Sequence, residues 1–197
     1  YLIDIDGYII YDHIGEGGYT ETEAQIQRAL AERAARLGED MPDVAAPLAV
    51  ESAGRRGSSP ETYFGAWRNN NLGNGVQREK GRQTLTIPEK LSPNVFYLGG
   101  VWNFEHEYMA NESRGAQLRF IYDAKDVYFV AAANTPVRVK VTRDGGKPLG
   151  PSRGADVGED GFVVIQEERL YKLVQDTEYG VHTIEIEVES PGLEAYT

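Results

Sequence analysis

Cysteine is missing from the whole of this 197-residue chain. It therefore forms no disulfide, offers no thiolate nucleophile and builds no Cys-type zinc or iron–sulfur site. Dithiol exchange within these residues is excluded by the same absence. Histidine is scarce, with three in the chain, and metal ligands rarely come singly. Basic residues are in deficit: 20 Lys and Arg against 31 Asp and Glu leave a net charge of −11. Without a basic face the chain cannot neutralise phosphates, which argues against acidic partners such as nucleic acid and against contact with an anionic membrane. Long apolar runs are also lacking. Stretches such as Val127 to Ala133 are short and bounded by charge or turn residues, so nothing resembles a signal peptide or a membrane span. No repeat or low-complexity tract occurs. What is present, 41% hydrophobic and 26% charged residues, is the composition of an ordinary globular chain with ample length for a hydrophobic core.

The first 37 residues differ in character from the rest. YLIDIDGYIIYDHIG reads as two apolar strands, the second containing Ile9, Ile10 and Ile14, around an Asp6-Gly7 turn. Thr20, three residues before Glu23, has the spacing of a capping box at a helix start. Ile26, Leu30, Ala34 and Leu37 then recur at helical spacing, and Gly38 is the stop. Two strands and one helix bury no core by themselves. Residues 38–60, rich in Pro, Gly and Ala, read as a linker, with Arg55-Arg56 as a protease-sensitive point.

Beyond the linker the pattern has period two. Leu118, Phe120 and Tyr122 alternate with Arg119 and Ile121; Val137, Val139 and Val141 with Arg138 and Lys140; Ile184, Ile186 and Val188 with Glu185 and Glu187. Such alternation gives one buried and one wet face, as in antiparallel sheets. Turns are expected at Asp123-Ala124, Asn134-Thr135-Pro136 and Asp144-Gly145-Gly146. The fold class expected is mainly β: an antiparallel jelly-roll sandwich over residues 61–197, preceded by the hairpin and helix of residues 1–37.

Particular strings carry a resemblance. YLIDIDGYIIYDHIGEGGYTETE is similar to the closing hairpin and last helix of thioredoxin-like domains of the TlpA and redoxin type. SPETYFGAWR (59–68), FYLGGVWNFEHEY (96–108), VGEDGFVVIQEERLYKLVQ (157–175) and the closing PGLEAYT resemble the C-terminal region of the DipZ family. That resemblance implies an extracytoplasmic, membrane-associated thiol-disulfide protein linked to cytochrome c biogenesis, whose thioredoxin-like domain is followed by a jelly roll similar to carbohydrate-binding modules. The family's redox CxxC is not among these residues, so no catalytic residue carries over and no cofactor is implied. A chain that begins at Tyr1-Leu2-Ile3 with a strand under way reads as a piece of a longer protein, with that pair expected upstream.

For a sugar-binding sandwich the residues to examine are exposed aromatics, whose flat apolar faces suit a pyranose. Trp67, beside Arg68 and the Asn69–Asn71 run, lies in a polar loop; its competing role is an anchor of the linker. Trp102 is the second candidate, although it shares a strand face with Phe104, which favours the core. Alternation through Glu105, His106 and Glu107 sets His106 opposite both carboxylates, and His13 and His182 read as isolated. Asp156 and Asp160, in a loop with Glu159 and three glycines, are calcium candidates by donor type, against the plain reading of a solvated turn. The expected function is an accessory domain that binds a glycan, a cell-wall component or a redox protein partner. The alternative is a purely structural domain that orients the rest of the thioredoxin-like domain and its substrate.

Overall fold

The computed structural model describes residues 1–13, 18–40 and 59–197. The chain divides into two compact units, Tyr1–Arg56 and Gly57–Thr197. Ile14, most of the linker and Arg55-Arg56 lie outside the described residues.

In the first unit, strands β1 (Leu2–Ile3) and β2 (Ile9–Tyr11) pair antiparallel. The turn between them is organised by Asp4, whose carboxylate accepts from the amides of Asp6 at 3.0 Å and Tyr8 at 2.8 Å. Helix α1 spans Tyr19–Leu37 and ends at Gly38, whose amide donates to the Ala34 carbonyl. The capping box does not form: the helix begins two residues earlier, after Gly18, and Thr20 is already inside the first turn. Arg36 pairs with Asp6 and ties helix to hairpin. Burial is slight. Ala34 is the buried residue of the helix, while Ile3, Ile9, Ile10 and Leu37 are exposed.

The second unit is antiparallel β throughout its named strands: β3 (Gly81–Leu85), β4 (Phe96–Phe104), β5 (Met109–Asn111), β6 (Ala116–Ala133), β7 (Val137–Arg143), β8 (Phe162–Ile165), β9 (Arg169–Val188) and β10 (Leu193–Ala195). This is the mainly β, sandwich-like class expected from the alternation. Two very long strands organise it. β6 and β9 pair along nearly their whole length, with register slips between Ala124 and Asp126 and between Val127 and Tyr128. The expected turn at Asp123-Ala124 is thus a bulge within one strand. A bulge bends a strand and increases its twist, which lets a single strand serve two layers. The first half of β6 pairs with β4, through Gly99↔Gln117 and Leu98↔Leu118, and the second half pairs with β10.

Strand β4 changes partner in the same way. Residues Phe96–Gly99 pair with β6, whereas Trp102–Phe104 pair with β5. Gly100 sits at the change with φ 93°, and a Cβ there would meet Ser113 Oγ at 2.5 Å. Both the conformation and the close approach require glycine. Since β5 also pairs with β10, the strands β4, β5, β10 and β6 close a hydrogen-bonded ring.

Register places the alternating residues in rows. Leu98, Leu118, Ile186 and Val141 face one another across four strands and are all buried, while the adjacent row Tyr97, Arg119, Glu185 and Thr142 points to the other face. Each fully buried Leu, Ile, Val or Phe contributes about 1.5–3 kcal/mol of transfer free energy. Phe96, Trp102, Phe104, Phe129 and Tyr171 complete the core.

Candidate functional site

Residues 59–72 run across one end of the sandwich and are held by main-chain bonds. Phe64 N donates to Tyr196 O at 3.0 Å, Ala66 N to Glu105 O at 2.7 Å, and Trp67 N to His106 O at 3.0 Å. Phe64 is buried edge-on against Phe96, with centroids 5.0 Å apart. Gly65 permits the approach: a Cβ there would lie 2.2 Å from the Glu107 carbonyl carbon and 2.5 Å from His106 O. The strand expected through Glu105–Glu107 is instead a tight turn after β4, closed by Glu105 N donating to Tyr108 O at 2.9 Å. Alternation therefore does not apply there, and His106 does not point away by strand parity.

Its imidazole stacks on Trp67, with centroids 4.7 Å apart and planes at 15°. Trp67 remains 56% exposed. One face of the indole rests on His106, so the surface left to solvent includes the opposite face. Next to it, the Arg68 guanidinium lies 3.3 Å over the Tyr63 ring. Such a contact fixes an otherwise mobile cation on an aromatic face. Tyr63 donates its hydroxyl to Glu61, and that bond pushes the phenol pKa up. On the other side of the turn, Lys80 Nζ reaches Glu105 at 2.8 Å and Asn103 donates to the same carboxylate; Lys80 first and Asn103 second hold its pKa down. The end of the sandwich thus presents a pre-positioned indole flanked by a guanidinium and polar groups.

The other positions singled out fall elsewhere. Trp102 is 1% exposed and donates its indole N–H to Gly99 O at 3.0 Å, so its ring offers a ligand no surface. Asp156 and Asp160 are each engaged locally. Asp156 accepts from Arg169 and from Lys172 N, at 2.8 and 2.7 Å, and its pKa is lowered by Arg169 above all. Asp160 accepts from Phe162 N and from Arg138. Among the described residues no three His, Cys, Asp or Glu side chains gather into a cluster; Asp156 and Asp160 each hold local contacts of their loop.

Two arrangements had no signal in sequence. His182 is not isolated: its Nδ1 lies 2.8 Å from Asp144 Oδ2, and Asp144 Oδ1 accepts from Thr183 N at 2.9 Å. Arg143 and Asp176 form a two-pronged ion pair at 3.0 and 3.2 Å. Both join residues more than thirty positions apart, one on or just after β7 and the other on β9, with which β7 pairs.

Comparison with known proteins places these features in a family. Residues 59–197 match the family described as "Thioredoxin like C-terminal domain". The chain is 31% identical over 145 residues to Protein DipZ of Mycobacterium bovis and, at the same identity and length, to Protein DipZ of Mycobacterium tuberculosis. Each match covers 74% of this chain and 20% of the relative, so the chain corresponds to about a fifth of the length of those proteins. The family match begins at Ser59 and takes in the sandwich together with the segment that carries Trp67; the hairpin and helix precede it. By that coverage the chain belongs to the thioredoxin-like C-terminal domain family and is a C-terminal region of the DipZ type.

Proposed function

We propose that this chain is an accessory binding domain of an extracytoplasmic thiol-disulfide oxidoreductase linked to cytochrome c biogenesis, and that its sandwich holds a glycan of the cell envelope against Trp67. The observation that carries the reading is the half-exposed indole stacked on His106, beside an Arg68 already fixed on Tyr63. An aromatic plane supplies flat apolar area for one face of a pyranose, and the neighbouring donors and acceptors suit its hydroxyls. Prior stacking lowers the ordering cost of binding. With no cysteine, the chain contributes binding and orientation to a redox protein rather than dithiol chemistry. The oxidoreductase assignment rests on the family likeness.

A glycan array probed with the chain and with Trp67→Ala tests the proposal. The expected result is a defined set of bound glycans, with affinity reduced at least about tenfold in the variant, equivalent to about 1.4 kcal/mol. If no glycan is retained, the domain is an interaction module whose Trp67 surface meets a protein.

A further inference from the structure

A concavity lies within the sandwich unit, where β6 and β9 bend between layers. Its volume is about 340 Å³, at the lower end of the ~300–1,000 Å³ common for small-molecule sites. The wall is hydrocarbon: Leu118, Phe120, Val127, Leu173, Ile184 and Ile186 all face it. Phe120, Ala124 and Val127 point inward yet are only partly buried, so the two layers do not seal on each other here. Both register slips of the β6–β9 pair fall at this place, and bulges gather where strands border sites. The segment Ser59–Thr62 forms one lip, fixed by the Ser59 hydroxyl, which accepts from Asp123 N at 2.9 Å.

Among the described residues, the charged side chains that line the concavity are Glu61 and Asp126, and no Lys or Arg lines it. Glu61 already accepts from Tyr63, whereas Asp126 has no ion-pair or hydrogen-bond partner among the described residues. A hydrocarbon interior with an acidic mouth selects against fatty acids and for apolar bodies that carry a positive head. Burial of a hydrocarbon tail supplies the driving force, and the mouth supplies direction.

We infer that the bend of the β6–β9 ribbon is a binding site for a small amphiphile with an apolar tail and a cationic, ammonium-type head, seated tail-inward with its head at Asp126. Trp67 does not line the site, although Glu61, on its lip, holds the Tyr63 on which Arg68 lies.

The test uses the full chain with n-octylammonium and octanoate as probes, followed by NMR shifts of the Leu173, Ile184 and Ile186 methyls. Saturable binding of octylammonium is expected, with octanoate weaker by about tenfold or more, on the scale of a charge reversal at a partly shielded site. Asp126→Asn should narrow that preference to within about threefold, and Ala124→Phe, which fills the space, should abolish binding of both probes. Methyls that do not shift, or equal binding of the two probes, would overturn the inference. Asp126→Asn changes no volume at a half-exposed position, so its result stands even if Ala124→Phe fails to fold.

Discussion

The hydroxyl of Tyr122 belongs to a side chain only 2% exposed and has no hydrogen-bond partner among the described residues. Burial pushes its pKa up to about 12; Asp176 adds to the rise and Arg143 opposes it. The protonated phenol is therefore the form the fold accepts. An unfolded tyrosine ionises near 10, so the stability this residue contributes is whole below pH 10 and is lost as pH rises towards 12. Tyr122→Phe removes an unsatisfied buried group and should raise stability by about 1 kcal/mol at neutral pH. It should also flatten the alkaline loss between pH 10 and 12; denaturant melts at a series of pH values check both. At this scale Trp102 was legible, because its parity with Phe104 marks it as core. The stacking partner of Trp67 was not. His106 lies in a turn that strand periodicity does not describe, and contact between positions so far apart leaves no local pattern.

Among elements, the segment that carries Trp67 depends on one close approach. Gly65→Ala would drive a methyl into the backbone of His106 and Glu107, at a cost of about 1–3 kcal/mol if the chains move apart. That movement would also unstack Trp67, so the proposed glycan binding should fall together with thermal stability, whereas Trp67→Ala should lower binding alone. Paired melting and binding measurements separate the two. The strands of the sandwich were readable from alternation wherever one face is wet, as in β7, where Val137, Val139 and Val141 are buried and Arg138 and Lys140 exposed. β6 was read as two strands because Asp123-Ala124 has turn chemistry. Pairing with β9 on both sides of the bulge overrides that local preference. The capping box failed for a related reason: its spacing is right, but the chain enters α1 through left-handed Gly18, and no side chain caps the helix.

For the whole molecule, the two units differ in how much they bury. The sandwich has a continuous core, while the hairpin and helix leave Ile3, Ile9 and Ile10 exposed and bury Ala34. Regions with few buried contacts open at low free energy. Hydrogen exchange should therefore be fast throughout β1, β2 and α1 and slowest in the continuously paired stretches Leu118–Tyr122 of β6 and Ile184–Val188 of β9. Strong protection of the first 37 residues in a monomer shown by size measurement would contradict the reading of them as part of a larger thioredoxin-like fold. The ring formed by β4, β5, β10 and β6 bears on a different matter, the ways in which such a domain can polymerise. Strands within a closed circuit expose no free backbone ladder on that side. The outer side of β9 is in turn capped by the loop at Gly154, whose amide bonds Leu173 O, and by Asp156, which takes Lys172 N. The named strands left at the sheet's margins are β3 and β8, five and four residues long. A neighbouring chain seeking to add a strand finds two short berths, so the architecture that bends β4 and β6 between layers also guards the domain against edge-to-edge growth.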